Sequence, residues 1–253
     1  MSFANYPSLK DRVIFITGGG SGIGAAMVEA FAAQGAAVAF VDILEGDSRA
    51  LAARLTERGA TPLFLPCDLL DIAALRAAIA EVGRRLGPIG VLVNNAGNDT
   101  RQDVDDVGEA DWDRTMGLNL KHQFFAAQAV RPHMREIGGG SVVNLSSIAW
   151  MAGGARMTAY AAAKAGIVGL TSSLAREFGP DNIRVNAIAP GAVITERQRR
   201  LWISESDLEA IVARQCLNRV LLADEIARAA LFLASSDSAM ISKQCLIVDG
   251  GLR

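Results

Sequence analysis

The sequence predicts an α/β protein in which one parallel sheet carries helices on both faces. Three observations predict it. Short, nearly all-apolar runs alternate with longer Ala-rich segments of helical period. The segments between runs are long enough for the crossovers that parallel strands require. A glycine-rich turn follows the first run and opens the first helical segment. Together these give a doubly wound, seven-stranded parallel sheet flanked by helices, in a single domain spanning 1–253.

The runs lie at 13–17, 37–42, 62–67, 89–94, 141–146, 183–187 and 244–249. Most lack the polar alternation of a half-exposed sheet, as strands buried on both faces should. No linker, repeat or low-complexity tract interrupts them. The one long irregular stretch, 190–220, is charged and follows a strand-like run, and a helix starts near Ala223. A long connection there is a candidate substrate lid, and it also fits a surface helical insertion.

Composition excludes several classes. Hydrophobic residues make up 51% of the 253 positions, enough for a substantial core. Aromatics are only 6%, so the core must be built from small and aliphatic side chains. Charged residues interrupt every apolar stretch before it could span a bilayer. Residues 1–10 lack a basic segment followed by an apolar one, so no signal peptide is expected. Cys67, Cys216 and Cys245 are scattered, which fits a reducing, cytoplasmic setting rather than a disulfide framework. His122 and His133 do not form a zinc-binding spacing, and no metal is expected. The net charge of −2 argues against a nucleic-acid or anionic-membrane surface.

The first run leads into Thr17-Gly18-Gly19-Gly20-Ser21-Gly22-Ile23-Gly24. Glycines let backbone N–H groups approach a pyrophosphate, and the helix that follows offers its positive end. The spacing is not GxGxxG, so the context carries the reading: strand, turn, helix, first βαβ unit, as in a Rossmann-type fold. Asp42 ends the second run about twenty residues on, where an acid hydrogen-bonds the adenosine ribose and repels a 2′-phosphate. Neither Gly20 nor Ile43 offers a cation to bind that phosphate, which favours NAD. Asp42 also fits a helix N-cap. Asp68 ends the third run and could accept from an adenine amino group or cap a helix.

Tyr160 and Lys164 are four apart on a helical segment and so share a face. A free tyrosine has a pKa of about 10, and a nearby ammonium favours the phenolate. The pair is therefore a candidate general acid/base, and it also fits a packed Tyr with a snorkelling Lys. Ser146 and Ser147 close the fifth run. A hydroxyl there can hold a reacting oxygen beside the tyrosine, and serine is equally a routine turn residue.

These residues, taken in order, resemble the short-chain dehydrogenase/reductase family from about Lys10 to Gly251. The matching motifs are TGGGSGIG at 17–24, Asp42, Asp68, Asn94-Asn95-Ala96-Gly97, Leu118-Asn119-Leu120, Ser147, Tyr160-x-x-x-Lys164, Pro190-Gly191 with Thr195, and Asp249-Gly250-Gly251. The resemblance implies that Tyr160 exchanges the substrate proton and that Ser147 orients the reacting oxygen. It implies that Lys164 binds the nicotinamide ribose and depresses the tyrosine pKa, and that Asn119 holds a relay water. It further implies a cofactor site of Gly18, Ser21, Gly22, Ile23, Gly24, Asp42, Ile43, Asp68, Leu69, Asn95, Ala96, Gly97, Tyr160, Lys164, Pro190, Gly191, Val193 and Thr195. A homotetramer packed through Ala- and Gly-rich helices near 126–138 and 159–174 is also implied, although those helices would equally pack on the sheet.

Further segments are similar to the family's D-xylose and L-arabinose dehydrogenases: Asn98-Asp99, Ser147-Ile148-Ala149-Trp150, Thr195-Glu196-Arg197-Gln198, Trp202 and Gln215-Cys216-Leu217. A sugar needs convergent polar groups for its hydroxyls and apolar surface for its C–H face. Asn98, Asp99 and Gln198 suit the first, Trp150 and Trp202 the second, beside Ser147 and Tyr160. The expectation is NAD-dependent oxidation of an aldose at C1 to the lactone. Arg156 and the lid arginines, Arg197 among them, could bind an anionic group, which would favour a secondary alcohol on a sugar acid or deoxy-keto acid instead. A 3-oxoacyl-type reductase would share the same motifs, but Asp42 and the polar lid speak against it. A nucleotide-binding protein without turnover would not need the complete set of Asn119, Ser147, Tyr160 and Lys164. The charges of the lid itself, Arg197 among them, fit a solvated helix face.

Overall fold

The computed structural model describes residues 4–201 and 204–253. Seven strands form one parallel sheet: β1 (Val13–Thr17), β2 (Ala37–Asp42), β3 (Leu63–Pro66), β4 (Ile89–Asn94), β5 (Gly140–Leu145), β6 (Ile183–Pro190) and β7 (Cys245–Val248). Their order is β3-β2-β1-β4-β5-β6-β7. β1, β2 and β4 have the predicted bounds. β3, β5 and β7 lose or shift terminal residues, and β6 runs three residues further than expected, because Ala187–Pro190 pair with β7.

The strands are buried on both faces, which explains their unbroken apolar character. Along β1, Ile14 and Ile16 join a core with Met27 and Phe31, while Val13 and Phe15 join a second core on the opposite face with Leu75 and Val130. The first core is covered by α1 (Gly22–Ala33), α2 (Glu45–Thr56) and α10 (Ala223–Ala234). The second is covered by α3 (Ile72–Leu86), α5 (His122–Glu136) and α7 (Thr158–Phe178). Each fully buried aliphatic or aromatic side chain contributes about 1.5–3 kcal/mol relative to exposure.

Local chemistry sets the helix ends that matter. Asp71 caps α3, its Oδ1 accepting from the Ala74 amide at 3.0 Å. Leucine rather than Asp42 stands at the N-cap of α2, at Leu44, so the capping reading of Asp42 fails. Between α4 (Glu109–Met116) and α5 the chain makes a π-helical turn, Gly117–Lys121, which carries Asn119. Such turns rotate side chains out of the α-helical register and recur at functional sites. The stretch after β6 contains α8 (Glu196–Leu201) and α9 (Glu205–Arg214), and the short α6 (Ala149–Ala152) follows β5.

Candidate active site

The sheet order reverses between β1 and β4, and a crevice opens outside the carboxyl ends of the strands at such a point. The cleft there measures ≈ 1840 Å³. A single small ligand needs about 300–1,000 Å³, so the space suits an extended ligand with a second, small one beside it.

One end is built from the glycine-rich turn. A β-carbon at position 24 would lie 1.8 Å from the carbonyl oxygen of Gly18, so only glycine lets α1 begin against this loop. Ser21 makes no side-chain cap, which leaves the first-turn N–H groups of α1 to the cleft. Asp42 is 9% exposed, and its carboxylate accepts from the Gly20 amide at 2.8 Å and the Leu44 amide at 3.0 Å. It thus ties the glycine loop to the end of β2 while its rim faces the cleft. Thr17 Oγ1 accepts from the Asn95 and Ala96 amides, and Asn95 Nδ2 donates to the carbonyls of Thr17 and Gly18. Asp68 accepts from the Leu70 amide at 2.9 Å within its turn, beside buried Leu69.

The other end gathers the chemistry. Tyr160 and Lys164 stand one turn apart on α7. Lys164 Nζ donates to the Leu145 carbonyl at 2.8 Å and lies 5.5 Å from the Tyr160 ring centroid. Ser146 Oγ donates to the Lys164 carbonyl at 2.8 Å, fixing the helix against β5. Ser147 lies beside the tyrosine, its Oγ accepting from the Ala149 amide at 3.1 Å. A β-carbon at Gly97 would sit 2.9 Å from Asn119 Oδ1 and 3.1 Å from Lys164 Nζ, so glycine is needed for this close approach.

The electrostatics differ from the expectation. Burial pushes the half-buried Tyr160 up to about 12; the neighbouring Ser147 hydroxyl opposes this, Asp99 adds to it, and Arg197 opposes it. Burial pushes Lys164 down to about 8, partly offset by Asp99. Lys164 is not among the groups that move the tyrosine in this arrangement. Its proton is directed at a backbone carbonyl rather than at the phenol, and desolvation of the phenol dominates. His122, behind Asn119, is fully buried and pushed down to about 3 by burial and by Lys164, so it is neutral and offers no competing acid.

Asn119 is 1% exposed and does not line the cleft. Its side chain accepts from the Asn98 amide at 2.9 Å and donates to the carbonyls of Asn98 at 3.1 Å and Thr115 at 3.0 Å. It holds the segment that faces the substrate end rather than facing that end itself. There, Asp99 accepts from Arg197 Nη1 at 2.5 Å and from Gln198 Nε2 at 2.8 Å, and Arg197 Nη2 donates to Asn98 Oδ1 at 2.7 Å. Burial works to raise the Asp99 pKa, but the bonds from Gln198 and Arg197 outweigh it and hold the carboxyl below its ordinary range.

The rest of the predicted cofactor set, including Ile23, Ile43, Pro190, Gly191, Val193 and Thr195, lines the same cleft, as do Ser147, Asn98, Asp99 and Gln198. Trp150, 37% exposed on α6, does not line it. Trp202 lies outside the described residues. Arg156 faces away to Asp103, 3.2 Å from its carboxylate, and does not line the cleft. Residues not anticipated do: Leu118, Met157 and Leu252 supply apolar surface, and Arg197 turns out to be a partner of Asp99 rather than part of a solvated face. Its place in Thr195-Glu196-Arg197-Gln198 and among the lid arginines is the sequence signal for a site role. No group of described His, Cys, Asp or Glu residues could hold a metal ion.

A glycine-cradled cleft at the switch point, with Ser147, Tyr160 and Lys164 at one end, defines a class, and the chain belongs to the short-chain dehydrogenase/reductase family. The matching family model, described as Enoyl-(Acyl carrier protein) reductase, covers residues 18–253. Among named relatives, "Probable galactose dehydrogenase GalD" of Rhizobium meliloti (strain 1021) is 52% identical over 98% of each chain. The D-xylose 1-dehydrogenase of Caulobacter vibrioides (strain NA1000 / CB15N) is 46% identical over the full length of both. A 7α-hydroxysteroid dehydrogenase solved with NADH and 7-oxo glycochenodeoxycholic acid superposes with a TM-score of 0.93 at 32% identity, covering 99% of this chain and 98% of that one.

Proposed function

We propose that the protein oxidises an aldose at C1 to the lactone, with NAD as the acceptor. The observation that carries this is the meeting in one cleft of a Tyr160–Ser147–Lys164 group with a wall of Asn98, Asp99, Arg197 and Gln198. The relatives that act on galactose and D-xylose support the substrate class.

The glycine turn, Asp42 and Gly97 form a cradle in which added side chains would collide, and this fits a dinucleotide. The chemistry NAD would supply there is acceptance of the hydride from C1. Tyr160, as phenolate, takes the proton of the C1 hydroxyl while the C1–H bond breaks, and the C1–O bond becomes the lactone carbonyl. Ser147 holds the reacting oxygen at the tyrosine, and Lys164, already desolvated, favours the phenolate once its ammonium is redirected to the cleft. Asn98, Asp99 and Gln198 bind the remaining hydroxyls. The residues after β6 that line the cleft, 192–198 with Asp207, Ala210, Ile211 and Arg214, would cover the site as a lid and exclude water.

Asp42 supports NAD over NADP: its carboxylate stands at the ribose end, and its neighbours Gly20, Ile43 and Leu44 carry no cation. The polar wall disfavours a long acyl chain. The homotetramer, packed through the helices near 126–138 and 159–174, rests on the family resemblance. No helix among the described residues is long and apolar enough to cross a membrane.

The test is NADH formation across D-galactose, D-xylose, L-arabinose, uronic and aldonic acids, and simple secondary alcohols. The expected result is turnover of neutral aldoses with a lactone as first product. Turnover of acids or secondary alcohols alone would refute the reading.

A further inference from the structure

Arg197 is the cation that reaches Asp99 and Asn98 at the substrate end, and its charge is already committed. Asp99 is almost closed off from solvent, is ionised, and takes one bond from Arg197 and another from Gln198. Both lid donors therefore point at a carboxylate the protein itself supplies. An incoming carboxylate would meet the Asp99 charge at short range and would have to displace it from Arg197. A hydroxyl meets no such conflict, because it can donate to Asp99 and accept from Gln198 or Arg197 at once. Asn98 sets the spacing of this pair, because both its backbone N–H and its carbonyl are tied to Asn119.

We infer that the Asp99–Arg197 pair determines specificity, making the site read a neutral polyhydroxy substrate and turn away its uronic-acid counterpart. The inference rests on the aldose reading above and deepens it. Asp99 acts as a built-in competitor for the arginine, so selectivity comes from a repulsive element as much as from an attractive one.

The experiment measures kcat/KM of the full-length enzyme for D-galactose and D-galacturonate, which differ only in whether C6 is an alcohol or a carboxylate. The wild type should favour galactose. Asp99→Asn keeps the size of the side chain and removes its charge, which releases Arg197. The galactose-to-galacturonate ratio should fall by about tenfold or more. Adding Arg197→Gln to that variant should abolish the gain, which separates Arg197 from Arg101, Arg114 and Arg214 elsewhere in the cleft. An Asp99→Asn enzyme that loses both substrates equally, or keeps its ratio within about twofold, overturns the inference and leaves Asp99 a structural residue. If Asp99→Asn folds poorly, Arg197→Gln alone serves: galacturonate should be disfavoured further, and a gain for it would overturn the inference. A wild type that oxidises aldoses but fails these arms refutes the inference alone. One that oxidises no aldose refutes the functional reading and takes the inference with it.

Discussion

Gly97→Ala probes how tightly the catalytic end is assembled. Gly97 does not occupy the left-handed region, so its backbone accepts alanine and the effect comes from packing alone. The new methyl would stand 2.9 Å from Asn119 Oδ1 and 3.1 Å from Lys164 Nζ. Relaxed contacts begin near 3.5 Å, so one or both groups must move by roughly 0.5 Å. Neither is free to do so: Asn119 is pinned by bonds to Asn98 and Thr115, and Lys164 by the Leu145 carbonyl. Overpacking of this kind costs about 1–3 kcal/mol. At about 2–4 °C per kcal/mol for a domain of this size, Tm should fall by about 2–12 °C. A 1 Å displacement can cost about 10²-fold in rate, so half of that should cost about tenfold in kcat. Thermal melts and steady-state kinetics with the aldose measure both. The control is Gly46→Ala on α2, where the added carbon meets nothing within 4 Å. It should be neutral in rate and up to about 1 kcal/mol more stable. A Gly97→Ala enzyme with wild-type kcat and Tm would refute the close-packed reading.

Two further outcomes follow from the electrostatics. If the phenolate is the working base, as proposed, then with burial pushing Tyr160 up to about 12 oxidation should accelerate about tenfold per pH unit from neutral upward, bending as Lys164 loses its proton near 8. Tyr160→Phe should remove that limb together with nearly all turnover; a flat wild-type profile, with a deuterium isotope effect showing that hydride transfer limits the rate, would exclude tyrosinate as base. Asp42→Ala should raise the KM for NAD by about 10–100-fold, from the loss of a charge-assisted bond of about 1.5–3 kcal/mol, and should narrow the preference over NADP. An unchanged NADP-to-NAD ratio would show that Asp42 serves only the Gly20 and Leu44 amides.

Much of the fold is determined by local sequence. Runs such as 13–17 and 89–94 are apolar on both faces, and only a strand covered from both sides satisfies that pattern. The glycine turn, Asp42 and the Tyr160–Lys164 spacing are legible for the same reason: each function depends on a short, contiguous arrangement of backbone or helix face. What tertiary structure decided is everything that depends on contacts between distant segments. β6 ends three residues later than its apolar run suggests because β7 arrives to pair with it. Arg156 and Trp150, plausible from their chemistry, are turned out of the cleft by the path of the chain after β5. Arg197 and Asp99, 98 residues apart, become partners only when the segment after β6 folds across the end of β4. The tyrosine's pKa likewise depends on enclosure rather than on its neighbour four residues away. Periodicity and spacing report forces acting along the chain, whereas burial and charge pairing act through space, and only the folded chain sets those distances.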